Sequence, residues 1–154
     1  MTKAATRLGA RRAKDDLRRN VTAHAAVAIG IFLLAACSSP ESVSLEENPA
    51  LSKKLTELRQ TGGSATLADW TGSDWDSVFV SHHPVSRDYV ESRVGGKINM
   101  DDTFMQRGNL LVFLNGGEIV RAIYITPDLL QPGRYSNRVQ VTTDGYPALL
   151  QMSE

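Results

Sequence analysis

His82 and His83 stand side by side at the end of an apolar stretch, with Asp74 and Asp76 a few residues upstream. Imidazoles and carboxylates hold borderline metals and move protons near neutral pH. Neighbouring residues of a strand point to opposite faces, so both rings reach one ion only if the turn at Pro84 breaks the alternation. No third ligand lies at a recognised metal spacing. The expectation is no metal and no cofactor, with the bland reading a strand-end turn that leaves one histidine in solvent. Other chemistries are poorly supplied. There is no Gly-x-Ser-x-Gly elbow for a serine nucleophile. Gly62-Gly63, Gly95-Gly96 and Gly116-Gly117 lack the Gly-Lys-Ser/Thr of a phosphate loop. Asp101-Asp102 sit in a polar stretch with no apolar wall, unlike an acid–base pair. No catalytic residues stand out, and the chain reads as a non-enzyme. Trp70 and Trp75, with Phe79 and Tyr89, could form an aromatic patch beside the histidines, of the kind interfaces favour. Equally, they could fill the core of a small domain. Trp70, Trp75, His82 and His83 are therefore the candidate ligand or partner surface.

The single cysteine, Cys37, offers a different chemistry. It closes Leu34-Ala35-Ala36-Cys37, after an apolar run from Ala25 to Ala36. Seven basic residues come before the run, among them Arg11, Arg12, Arg18 and Arg19. Basic, then apolar, then small residues is the layout of an export signal. The run is about twelve residues, short of the ~20 that span a bilayer. Arg18-Arg19 leaves two export routes open, the general secretory one and the twin-arginine one. With one thiol, the exported domain has no disulfide to form.

The cysteine after the small residues resembles the lipobox of bacterial lipoproteins. That resemblance implies cleavage between Ala36 and Cys37, acylation of Cys37 by diacylglycerol with palmitate-type chains, and a lipid-anchored place on the extracytoplasmic side of the cell membrane. The domain is also similar to small bacterial lipoproteins that carry no assigned activity. The shared pieces are Trp75-Asp76-Ser77-Val78, Pro84, the stretch Val90 to Gly95, and Leu111-Val112-Phe113. This resemblance covers roughly residues 70–126 and implies a common fold and an envelope location. Val85 stands where the pattern has an aromatic residue.

Charge divides the chain at the same place. Residues 1–36 hold seven basic and two acidic residues, a net +5; residues 37–154 hold ten and fifteen, a net −5. An acidic domain lacks the footprint that nucleic acid requires. Nor is it drawn to anionic lipid, which leaves anchoring to the acyl chains. The 118 residues after Ala36 suffice for one core.

These residues must be positioned by few elements. The expected organisation is a signal peptide (1–36), a lipidated cysteine with a flexible tether (37–48), and one α+β domain (49–154). Asn48 and Pro49 open a helix to Gln60, with Leu51, Leu55 and Leu58 in a stripe. Residues 66–75 read as a loop and Ser77–Ser81 as a strand. Ser86 caps a helix over Arg87–Val94, with Val85 and Val90 as its hydrophobic staple. Residues 97–108 read as a polar loop. Asn109–Leu114 and Glu118–Ile125 read as a hairpin about Asn115-Gly116. Residues 127–137 read as a loop and Arg138–Thr142 as a last strand. The fold class is α+β: an antiparallel sheet of about four strands with two helices on one face. The functional expectation is an envelope binding or accessory module, held to the membrane through Cys37, with an envelope protein as partner. The alternative is an envelope enzyme or metal-binding protein using His82, His83 and Asp76.

Overall fold

Asn48 does what its position promises: its side-chain oxygen accepts the N–H of Leu51 at 2.9 Å and starts a helix on Pro49. The computed structural model describes residues 42–154; the signal peptide, its cleavage site, Cys37 and the first residues of the tether lie outside that range. In chain order the elements are β1 (Val43–Glu47), α1 (Pro49–Thr61), β2 (Gly63–Thr66), α2 (Leu67–Thr71), β3 (Ser77–His82), β4 (Val85–Ser86), α3 (Arg87–Val94), β5 (Ile98–Asn99), β6 (Thr103–Phe104), β7 (Asn109–Asn115), β8 (Glu118–Ile125), β9 (Gly133–Ser136), β10 (Gln140–Thr143) and β11 (Gln151–Ser153). None of these helices is long and apolar enough to cross a membrane.

The class is α+β, but the sheet is larger than four strands. Six strands run in the order β5-β1-β8-β7-β3-β9. A three-stranded sheet, β11-β10-β2, and a two-stranded pair, β4-β6, complete the domain. Nor is the main sheet purely antiparallel. β1 runs parallel to both neighbours, Val43 beside Ile98 and Leu45 beside Ala122. Residues 43–47, expected as tether, are thus an internal strand. Residues 63–71, expected as loop in part, form β2 and α2, and the expected loop at 127–137 contains β9.

Helices cover both faces of the main sheet, not one. Val78, Val80, Leu111, Phe113, Ile123 and Ile125 pack with Leu51 and Leu55 of α1, Leu67 of α2 and Val141 of the small sheet. Phe79, Leu110, Val112, Leu114 and Ala122 pack on the other side with Val90 and Val94 of α3. This is why β3 and β7 read as nearly unbroken apolar runs: a strand buried on both faces has no polar side. Each fully buried Leu or Val here contributes about 1.5–3 kcal/mol.

The hairpin turns one residue later than expected. Asn115 pairs with Glu118, so the turn residues are Gly116 and Gly117, at φ +60° and +87°. The left-handed pair matches the twist of the strands. Near the turn Phe113 faces Arg121 while Leu114 faces Ile119, which leaves Val120 as an inserted residue. The bulge moves Ile119 off the face of Ile123 and Ile125 and onto the α3 side.

Candidate functional site

β3 and β7 fix the site by their register. β3 begins with Ser77 opposite Leu114 and ends with His82 opposite Asn109. Everything before Ser77 is therefore at the β7–β8 turn, and the histidines are at the other end, about 20 Å along the strand. Asp74 and Asp76, expected beside the histidines, are not there. Asp76 accepts the N–H of Gly116 at 2.7 Å and Asp74 lies 3.5 Å from Arg121, so both hold the turn end.

Trp75 is also at that far end and is 1 % exposed. Its indole donates to the Thr71 hydroxyl at 3.1 Å and its ring meets Phe113 edge-on at 5.1 Å. It is core and presents no surface. Trp70 lies partly buried against the same cluster. Phe79 and Tyr89 do meet, centroids 6.4 Å apart, but on the α3 side of the sheet. The aromatic patch beside the histidines is thus dispersed.

The carboxylate that meets the histidines is Asp128, from the loop after β8. One of its oxygens lies 2.8 Å from His83 Nδ1, and the other 3.6 Å from His82 Nδ1. What brings this loop in is Asn109, which has no exposed surface. Its side-chain oxygen accepts the N–H groups of Leu129 and Leu130 at 2.8 and 2.9 Å. Its amide donates to the carbonyls of Leu130 at 2.9 Å and Ser81 at 3.3 Å. One buried amide therefore ties the loop carrying Asp128 to the strand end carrying both histidines. Buried polar groups must be satisfied in this way, and the network is rigid because it is.

The shortest distance fixes which nitrogen of His83 donates. A ring nitrogen 2.8 Å from a carboxylate oxygen carries the proton, so His83 donates from Nδ1 and keeps its lone pair on Nε2. The Gly108 N–H, 3.3 Å from the same nitrogen, then finds no acceptor there. The Asn109 amide nitrogen also lies 3.1 Å from His82 Nδ1. The Asp128 oxygen nearer His82 is buried with no hydrogen-bond partner. The cluster thus gathers two imidazoles about one carboxylate.

This can orient a base, as the histidine–aspartate pair does in hydrolases. Such a base needs a nucleophile within reach. Ser81, adjacent in sequence, follows the alternation of β3 to the face opposite His82, and its hydroxyl is buried. Among the described residues no group of three or more His, Cys, Asp or Glu is arranged to hold a metal. What the cluster offers is hydrogen bonding of both polarities.

The remaining carboxylate pair has a structural use. Asp102 accepts from Arg87 at 2.5 Å, and the same guanidinium donates to the Met100 carbonyl at 3.0 Å, fastening α3 to the segment before β6. Asp101 is exposed. Elsewhere Tyr146 and Leu149 are the most exposed large apolar residues besides Met105, on the loop before β11. Neither they nor Asp128 and Asn109 stood out in the sequence, and only the unbroken apolar stretch after Asn109 hinted that this amide is buried. No protein-family model, curated protein or solved structure matches the chain.

Proposed function

We propose that this chain is a lipid-anchored protein of the bacterial cell envelope, held through Cys37 on the extracytoplasmic side, and that its domain acts by binding. The recognition surface is the end of the sheet that carries His82, His83 and Asp128. The observation that carries this reading is the Asn109 network, which holds an Asp128–His83 pair at 2.8 Å while the neighbouring Ser81 hydroxyl is buried on the opposite face of its strand. Support for the anchor is the order of basic residues, apolar run and Leu34-Ala35-Ala36-Cys37, followed within six residues by the first strand of the domain. The partner is an envelope protein that offers both a donor and an acceptor.

Two measurements test it. Metabolic labelling with palmitate is expected to mark the wild type and not Cys37→Ser; an unlabelled wild type refutes the anchor. In-cell crosslinking of the wild type beside a His82→Ala, His83→Ala variant then tests the surface. Loss of a specific adduct supports it, and an unchanged adduct places the contact elsewhere.

The Asp128–His83 geometry also favours a second reading, an envelope enzyme in which His83 is a base oriented by Asp128. The metal-binding version, with Asp128 in place of Asp76, would show as a stoichiometric ion in the purified protein that is lost in His83→Ala.

A further inference from the structure

β1 joins the sheet with its first residue at the β7–β8 turn. Val43 lines a groove with Lys97, Gly117, Glu118 and Ile119, and its N–H donates to the Lys97 carbonyl at 3.2 Å. β1 runs parallel to β8, which starts at this turn and finishes at Ile125 opposite Asn109. The chain therefore enters the domain at one end of the strands, and the histidine cluster lies at the other.

From this placement we infer that the β7–β8 turn end of the sheet rests against the lipid surface and that His82, His83 and Asp128 face away from it. The inference rests on the lipid-anchor reading. Six residue steps separate Cys37 from Val43. Fully extended they reach about 20 Å. A random chain of that length averages about 13 Å. Turning the histidine end to the membrane would lift Val43 by the length of β7 and β8, about 20 Å, and stretch the connection to its limit. Contact at the turn end is steric and tether-driven rather than electrostatic. Asp74, Asp76 and Glu118 there outnumber Lys97 and Arg121, a balance that anionic lipid does not favour.

The test uses full-length lipidated protein, purified from membranes and reconstituted in phosphatidylcholine vesicles carrying a headgroup quencher. Single cysteines are introduced at exposed positions and labelled with a fluorophore. Glu118→Cys and Val120→Cys report the turn end; Arg107→Cys and Gln131→Cys report the histidine end. Two probes at each end keep the comparison if one variant folds badly. Quenching is expected to be several-fold stronger at 118 and 120 than at 107 and 131. Equal or reversed quenching in protein that floats with the vesicles overturns the orientation and leaves the anchor standing. Protein that does not float overturns the anchor and the orientation together.

Discussion

Asn109 is a polar side chain with no exposed surface at the start of the central hairpin, and its amide does the work of a small loop's worth of backbone pairing. Replacing it with alanine strands two N–H groups and two carbonyls in the interior. An orphaned buried group costs about 1–3 kcal/mol, so Asn109→Ala is expected to lower stability by roughly 2–4 kcal/mol once local rearrangement recovers part of the loss. Urea unfolding measures this, and a change below about 1 kcal/mol would mean that the amide is dispensable. Asp128→Asn should behave differently. The carboxylate is 28 % exposed, so its pairing with His83 contributes under about 1 kcal/mol. The fold should survive while the crosslinked adduct weakens. This pair of variants separates holding the site from being the site. Of these residues the sequence pointed to the histidines, because rare side chains at a strand end are visible locally. Asp128 was not legible: its partners lie some forty-five residues upstream, and nothing in Thr126-Pro127-Asp128 says that the loop folds back.

Among the elements, the β7–β8 hairpin carries the sharpest stability test. Gly116 sits at φ +60° with open space where a Cβ would go, so only backbone conformation opposes a side chain. Gly116→Val is expected to cost about 1–3 kcal/mol, read as a lower melting temperature. Gly108 fails for the opposite reason. A Cβ there would fall 2.0 Å from the Ile125 carbonyl oxygen, so Gly108→Ala must spread β7 from β8 beside the histidines. The junction of α3 and β5 gives a pH dependence. The Glu91 carboxylate accepts from Lys97 and from the Ile98 N–H at 2.6 and 3.1 Å, and these bonds hold its pKa below the usual 4.5. A depressed pKa means that the stabilisation is complete above the unfolded value and fades as pH falls through the folded one. The protection of the Ile98 amide, its exchange relative to the unfolded chain at the same pH, should therefore fall below about pH 4.5 and stay constant there in Glu91→Gln. The hairpin and α3 were legible because their signals are local: glycines at the turn, Ser86 at the cap, Gly95 at the close. The shift of the turn to Gly116-Gly117 and the bulge at Val120 were not, since register is set by what the opposite strand buries.

At the scale of the molecule, the domain begins at β1 and not at Pro49. β1 lies inside the main sheet, between β5 and β8, with Val43 and Leu45 half-buried on the α3 side. A chain starting at Pro49 loses both apolar contacts and two rows of hydrogen bonds, and exposes the β8 edge. Residues 42–154 are expected to unfold cooperatively, while 49–154 should be less stable by about 3 kcal/mol or more and prone to associate. Equal stability would refute the internal position. This strand was the least legible element. Val-Ser-Leu-Glu-Glu shows two apolar residues in five, and a parallel partner leaves no turn signal beside it.

The position of β1 also orders events in time. Its slot exists only once β5 and β8 have formed, so the first segment of the domain to be synthesised must wait for strands that end at residue 125. Pairing across such sequence separations is slow. Until residue 125 has emerged, β1 lacks its full β8 neighbour.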